Sequence, residues 1–434
     1  MERSILPPAH NLENGFNLVS MSNLTEQRDR LVDKGLCDHC LGRQFGMLGH
    51  GLENYERGRI ARSQDILNED DFSTNRVKSA SPGGFCDLCK GFFDRLSVWV
   101  DRLLEQAGPY EFDTYLVGSR IPDAWLEREA QLRKEGGVEH AEPVKREANR
   151  LVGKSLSRQY DRDIEVDHDE PDVQFIVDLV EDRVVVIVSP LYLYGKYNKY
   201  SREIPQTVWY CRACRGSGCD RCDGTGKMYQ TSVQEQIQAP FLSAADADEA
   251  VFHGAGREDI DARCLGKREF VLELKQPRRR NLDLSGCVET VNASTDDVEI
   301  FDVRRTSSST VAKIKEQRAD KTYRAIVDLE DDVDPDRLET LEELEGEIHQ
   351  DTPARVDHRR ATRTRTREVY RVEADRTAPA ELELTVHAEA GTYIKELISG
   401  DDGRTVPNLA DLLHTAATCR TLDVVEIDHR RSPS

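Results

Sequence analysis

No run of 18 apolar residues occurs anywhere in the 434-residue sequence, so it holds no candidate membrane-spanning helix. Residues 1–20 lack the basic and apolar regions of a secretory signal, and the cytoplasm is the expected compartment. Nucleotide-binding loops are missing too. There is no Walker loop, no dinucleotide fingerprint after a strand, and no Ser-Gly-Gly-x-Asp-Ser loop, while the Gly-x-Gly candidates fall inside a cysteine cluster. Chemistry that consumes ATP or passes a hydride is therefore not expected. His140-Ala141-Glu142 and His387-Ala388-Glu389 fit the His-x-Glu of zinc deaminases, but neither is followed by Pro-Cys-x-x-Cys, which excludes that reading. Methionine, tryptophan and phenylalanine are scarce, and 60 basic residues face 81 acidic ones, for a net charge of -21. Such a charge ordinarily argues against a nucleic-acid partner. Here the acidic residues run along the whole chain and arginine far outnumbers lysine, a halophilic composition. In molar salt the Debye length is about 3 Å, so net charge ceases to repel RNA while local arginine clusters still dock phosphates.

The length predicts two or three domains. Residues 1–20 are aperiodic and expected to be disordered or to precede the native start, because Met21 opens Ser22-Asn23-Leu24-Thr25-Glu26, which reads as a helix cap. Eight of the eleven cysteines form four Cys-x-x-Cys pairs, which in a cytoplasmic chain means metal spacing rather than a disulfide framework. Cys37 and Cys40 with Cys86 and Cys89, each pair followed by a glycine, predict one structural zinc clamping two helices. Cys211, Cys214, Cys219 and Cys222 lie within twelve residues, interleaved with glycines, and predict a second, local zinc knuckle similar to the zinc repeats of J-protein cochaperones. Four thiolates leave no open position for water, so both sites are expected to be structural. Cys264, Cys287 and Cys419 have no partner at ligand spacing.

Between residues 95 and 205 the pattern is mixed α/β. Leu96 to Leu104 fits a helix, Phe112 to Val117 a strand, and Pro143 opens a helix whose apolar positions are Val144, Ala148, Leu151, Val152 and Leu156. Two β-rich runs follow, Val173 to Val180 and Val184 to Val188. The run Tyr192-Leu193-Tyr194-Gly195-Lys196-Tyr197-Asn198-Lys199-Tyr200-Ser201-Arg202 interleaves tyrosine with cations, which suits stacking on bases and holding phosphates; a solvated loop is the plainer alternative. The region resembles a THUMP RNA-binding domain.

Three short motifs occupy the remainder. Arg257-Glu258-Asp259 sets a cation beside a carboxylate, an arrangement that keeps the carboxylate ionised for nucleophilic attack, although alone it reads as an ordinary surface ion pair. Lys321 and Tyr323 share one face of a predicted strand, where the tyrosine can stack on a base and relay a proton. Leu382, Leu384, Val386 and Ala388 alternate along another strand that ends at Gly391 and delivers Tyr393 and Lys395 to a strand-to-helix junction. Arg363, Arg365 and Arg367 alternate with threonine and form either a solvated edge or an RNA-facing strip, preceded by His358-Arg359-Arg360.

In this order and spacing, Arg-x-Asp, Lys-x-Tyr and Gly-Thr-Tyr-Ile-Lys resemble the motif set of pseudouridine synthases. With the Cys-x-x-Cys pair, the THUMP-like region and Pro353-Ala354-Arg355-Val356, the chain is similar to the archaeal and eukaryotic pseudouridine synthase family 10. The resemblance implies an α/β (α+β) architecture: a zinc-clamped accessory domain with a THUMP-like module over residues 21–205, then a catalytic domain over 206–434 with a central mixed, mostly antiparallel sheet. It implies isomerisation of uridines 54 and 55 in the tRNA T-loop, without organic cofactor. Asp259 would be the nucleophile and Tyr323 the stacking residue and proton acceptor. Arg257 would hold Asp259 or fill the gap in the RNA stem, and Lys321, Tyr393 and Lys395 would complete the substrate-binding wall. Lys395 departs from the arginine common in related enzymes and offers only a point charge. Other readings are another THUMP-linked tRNA-modifying enzyme or a non-catalytic zinc-containing tRNA-binding protein. One chain suffices for site and RNA strip, so a monomer without protein partners or membrane contact is expected.

Overall fold

The structure, a computed structural model, describes residues 21–64, 67, 70–74, 86–138, 141–355 and 363–428. Residues 1–20, His140 and His358-Arg359-Arg360 lie outside the described residues. The chain divides into two compact units, residues 1–187 and 188–434.

The first unit packs helices around a four-stranded sheet of order β2-β1-β3-β4, with β1 Thr114–Arg120, β2 Glu165–Val166, β3 Val173–Asp178 and β4 Arg183–Val188. Strands β1, β2 and β3 run parallel. Val173, Phe175 and Val177 point inward at strand period and are almost fully buried, which is what places β3 at the core. The helix Val144–Gln159 lays Val144, Ala148, Val152 and Leu156 on that sheet, as its periodicity predicts, with Pro143 one position earlier than expected, at the cap. Gly42 and Gly58 serve close helix contact: a Cβ at Gly42 would lie 1.7 Å from the Asn54 carbonyl oxygen, and one at Gly58 would lie 2.0 Å from that of Asp38. The glycine after Cys40 thus lets the helices Asp38–Gly42 and Asn54–Ser63 touch, rather than shaping a knuckle.

The second unit is built on a ten-stranded sheet: β5 Leu191–Lys199, β6 Glu249–Gly254, β7 Ala262–Lys275, β8 Val298–Thr306, β9 Asp320–Leu329, β10 Gly346–Gln350, β11 Arg365–Ala378, β12 Glu381–Ala388, β13 Thr405–Val406 and β14 Ala417–Asp428. The order is β13-β10-β11-β12-β9-β14-β7-β5-β8, with β6 also on β7. Among the described residues the strand pairings are antiparallel except β14 with β7. This is the mixed, mostly antiparallel sheet expected. Strand β14 sits between β9 and β7 and is the seam of the sheet.

The sequence reading placed the domain boundary after residue 205; the units divide before β5. The reason is strand pairing: β5 hydrogen-bonds to β7 on one edge and β8 on the other, so the tyrosine-rich run belongs to the second sheet. Leu191, Leu193 and Tyr197 point into its core, with Tyr197 and Lys199 fully buried. The RNA-stacking reading of Tyr197 and Lys199 is therefore corrected.

Candidate active site and metal centres

Asp259 stands on the loop between β6 and β7, and buried polar groups hold that loop from beneath. Gly256 takes a φ of 79°, and Arg268 packs so close that a Cβ there would lie 3.0 Å from Nη1. Arg268 Nη1 donates to the Ala255 carbonyl at 2.9 Å. Gln206 Nε2 donates to the Gly256 carbonyl at 2.9 Å and to the Tyr197 hydroxyl at 2.8 Å. Lys199 Nζ donates to the carbonyls of Asp259 at 3.1 Å, Ile260 at 2.8 Å and Ile204 at 3.1 Å. Glu258, the middle residue of Arg-x-Asp, turns inward: Tyr197 Oη donates to its carboxylate at 2.9 Å, and Arg268 Nε lies 2.9 Å from its Oε2. Both members of that pair are buried, so each would carry a severe desolvation cost without the other. Burial lowers the Lys199 pKa against the opposing pull of Glu258, and burial with Glu258 raises that of Tyr197 well above its ordinary value.

Above this support the Asp259 side chain is 40% exposed at a cleft of about 530 Å³. Arg355 Nη1 donates to Asp259 Oδ2 at 3.1 Å, and Lys395 Nζ lies 3.6 Å from the same oxygen. The guanidinium of Arg355 is fixed in turn by buried Glu396, with Nε donating to Oε1 at 2.6 Å. Burial disfavours the charged guanidinium, yet Glu396 and Asp259 outweigh it and raise the Arg355 pKa. The seam supplies the floor: Tyr323 on β9 pairs with Val424 on β14, and Leu422 on β14 with Ala262 on β7. Tyr323 is 9% exposed, and burial pushes its phenol up to about 12, so it keeps its proton at neutral pH. Lys321, whose Nζ donates to the Ala319 carbonyl at 2.6 Å, is pushed down to about 8, first by burial and then by the Arg268 cation. Tyr393 forms the far wall, its backbone gripped by fully buried Gln350, which donates to its carbonyl at 2.9 Å and accepts from its N–H at 2.8 Å. Arg365 lies 5.8 Å from the Tyr393 ring centroid.

Six of the sequence-predicted residues thus line one cleft: Arg257, Asp259, Lys321, Tyr323, Tyr393 and Lys395. Two have other partners than expected. Arg257 stacks its guanidinium 5.2 Å from the Trp209 ring centroid and is not the cation that holds Asp259. Lys395 Nζ makes its short contacts with Asp261, at 2.9 and 2.7 Å. The residues missed are Lys199, Gln206, Glu258, Arg268, Gln350 and Arg355. Arg355 was visible only as part of Pro353-Ala354-Arg355-Val356 and Lys199 only as a cation in the tyrosine-rich run, and the contact of Arg355 with Asp259 spans 96 residues. A larger cavity, about 1160 Å³, lies in the first unit beside the helix Val144–Gln159; it is lined by Lys145, Arg146, Arg150, Lys154 and Arg158, and among the described residues no carboxylate lines it. It is a groove flanked by cations.

Both cysteine sets converge as predicted, each with its sulfurs within 4.8 Å of one another. A tetrahedral ion with Zn–S bonds of about 2.3 Å separates its sulfurs by about 3.8 Å. Cys37 and Cys89 stand 3.7 Å apart; in the second set Cys211–Cys219 is 3.9 Å, Cys214–Cys222 3.8 Å and Cys219–Cys222 3.7 Å. These are thiol rather than disulfide separations. Backbone N–H groups already point at sulfur, from Cys37 to Cys86 Sγ at 3.3 Å and from Gly226 to Cys222 Sγ at 3.2 Å, as a thiolate cluster requires. The residues present fit zinc in both places. The first set joins the short helix Asp38–Gly42 to a turn at Cys86–Cys89, not two helices.

The family described as "Pus10, C-terminal" matches residues 192–428, and "Pus10 THUMP domain, archaeal" matches residues 99–178. A protein named tRNA pseudouridine synthase Pus10 from Halorubrum lacusprofundi is 43% identical over 410 residues, covering 92% of this chain and 94% of its own length. One of the same name from Methanothrix thermoacetophila is 39% identical over 439 residues, covering 96% and 97%. A solved Cbf5-Nop10-Gar1 complex aligns over 43% of each chain at 21% identity, with a TM-score of 0.28.

Proposed function

This chain belongs to the Pus10 family of tRNA pseudouridine synthases, and on that premise we propose that it isomerises uridines 54 and 55 in the tRNA T-loop with Asp259 as nucleophile. The observation that carries the assignment is the setting of Asp259: a half-exposed carboxylate with Arg355 at 3.1 Å and Lys395 at 3.6 Å, at the rim of a cleft floored by Tyr323. An RNA isomerase must extrude its target base, which costs a few kcal/mol and less where the base is already unstacked, as in a loop. Asp259 attacks the ribose or the uracil ring, the N1–C1′ bond breaks, and the freed uracil turns within the cleft. A C5–C1′ bond then forms as the bond to Asp259 breaks and frees the carboxylate, C5 loses its proton and N1 gains one, so the reaction balances without redox partner or phosphate donor.

Tyr323 stacks on the turning base. Because its phenol keeps its proton at neutral pH, it accepts the C5 proton only by passing its own onward. Arg355, Lys395 and Lys321 hold the cleft cationic against the RNA backbone, and the groove of Lys145, Arg146 and Arg158 gives the first unit a place for phosphates. Zinc at both cysteine sets would fix local folds and supply no chemistry to the isomerisation. The protein works as a monomer in the cytoplasm on this reading.

The deciding experiment is pseudouridine mapping on an unmodified tRNA transcript with purified protein at high salt. The wild type should modify positions 54 and 55, and Asp259→Ala neither. Product formed by Asp259→Ala would remove the nucleophile assignment, and product confined to other positions would remove the T-loop.

A further inference from the structure

The knuckle from Trp209 to Gln230 carries a charge pattern opposite to that of the chain around it. Acidic residues exceed basic ones by 81 to 60 overall, yet this stretch holds Arg212, Arg215, Arg221 and Lys227 against Asp220 and Asp223, and Lys227 pairs with Glu235 of the following helix. Arg212, Arg215 and Arg221 are exposed, and among the described residues no ion pair or hydrogen bond engages their side chains. By contrast, Arg263 and Arg202 in the same unit share Asp423 at 2.7 and 2.6 Å. Beside the three cations two apolar side chains are left in water, Tyr210 at 63% and Met228 at 41% exposure. Arg212, Arg221, Lys227, Met228 and Tyr229, with Asp223, line a hollow of about 440 Å³ on the knuckle.

The base of the knuckle reaches the catalytic cleft. The rings of Trp209 and Tyr229 meet edge to face at 5.8 Å, and Arg257, which lines the cleft two residues before Asp259, stacks on Trp209. We propose that this knuckle is an RNA-docking element, which receives the single-stranded segment of the substrate next to the extruded uridine. The arginines meet its phosphates, and Tyr210 offers a ring on which an unstacked base lies. Cations interleaved with an exposed aromatic ring are the chemistry by which single strands are held. Zinc in the four thiolates is the scaffold that presents these side chains, not a participant.

The proposal rests on the tRNA-isomerase reading, so its test measures binding separately from turnover. A labelled unmodified tRNA transcript is titrated against Arg212→Ala/Arg215→Ala/Arg221→Ala, against the matching triple lysine variant and against Tyr210→Ala. The titrations span the salt range in which the wild type stays folded, and zinc content is measured alongside. Each lost phosphate contact on a single strand lowers the slope of log K against log salt by about 0.7. The triple alanine variant should therefore lose a slope of about 2 and bind on the order of 10- to 100-fold more weakly, with its zinc retained. Its KM should rise in step while kcat at saturating tRNA holds within about twofold. The lysine variant should restore most of the slope, and Tyr210→Ala should weaken binding without changing it. Unchanged affinity and slope in the triple alanine variant would overturn the proposal. Loss of zinc from that variant would overturn it too, because the arginines would then be neutralising the thiolate cluster. A wild type that binds tRNA through the knuckle but forms no pseudouridine would sink the isomerase reading alone.

Discussion

Replacing Lys199 by methionine tests whether a cation that local sequence assigns to RNA in fact holds the loop that carries Asp259. Its ammonium is fully buried and donates to the carbonyls of Ile204, Asp259 and Ile260 at 3.1, 3.1 and 2.8 Å. Methionine keeps the length and apolar stem but leaves three acceptors without a donor. A buried acceptor stripped of its partner costs about 1–3 kcal/mol, so the three together lie in the range of roughly 3–9 kcal/mol. Removing the ammonium also removes its desolvation penalty, several kcal/mol for a buried ion, which offsets a large part. A net loss of about 2–4 kcal/mol is expected, and for a unit of this size it lowers the melting temperature by roughly 5–15 °C. The functional consequence is sharper than the thermal one. Two of the three carbonyls belong to Asp259 and its neighbour, and a displacement of about 1 Å at a reacting group can cost 100-fold in rate. Single-turnover rates with tRNA should fall 10- to 100-fold, while KM stays within about twofold because Lys199 does not line the cleft. Melting is followed by circular dichroism and rates by pseudouridine mapping over time. A variant whose KM rises with its rate and stability intact would refute the reasoning and return Lys199 to RNA contact.

Arg355→Ala should cost more activity than Arg355→Lys, because the guanidinium bridges Asp259 and buried Glu396 and a single ammonium cannot span both; equal losses in single-turnover assays would show that its charge alone matters. Lys321 deprotonates near 8 in the folded state against 10.5 ordinarily, so between those values the unfolded chain holds more protons and stability rises with pH. Urea melts across that window should show the wild type gaining on Lys321→Met, and parallel curves would contradict the burial argument. Metal analysis should find about two zinc ions per chain, with Cys40→Ser and Cys222→Ser each losing one. Cys40→Ser should also lower the melting temperature of the first unit, where its cluster ties the helix Asp38–Gly42 to the turn at Cys86–Cys89. Retention of both ions in either variant would exclude that cluster as a site.

The parts of the site that were legible in sequence are those whose chemistry is local. Asp259, Tyr323 and Tyr393 sit on short motifs with fixed neighbours, and Cys-x-x-Cys spacing fixes a ligand pair on one turn of chain. Contacts across long separations were not legible. Lys199 reads as a surface cation because tyrosines and lysines alternate around it, yet at strand period every second residue of β5 faces inward. Its three carbonyl partners include two from a loop 60 residues on, which no window of sequence displays. The same holds for Arg355 and Asp259. Arg257 misled for the opposite reason: adjacency in sequence suggested an ion pair with Asp259, but the loop turns its side chain toward Trp209. Glu258, between them, had no signal, since an acidic residue in an acidic chain is the least informative letter available.

The position of β14 has a consequence for the order in which the protein can become active. This strand is the seam between β7 and β9, and it is the last strand in sequence among the described residues. Asp259 is delivered from the β7 side and Tyr323 from the β9 side, so until β14 is made the two lie on separate half-sheets with open edges. A nascent chain lacking residues 417–428 has Asp259, Tyr323, Tyr393 and Lys395 but no cleft, and its unpaired edges invite association with other chains. Competence should therefore appear in a single step, once residues 417–428 are made and paired. Ribosome-stalled chains ending before Ala417 should bind no tRNA in the cleft, and graded gain of activity with chain length would argue against a seam that closes last.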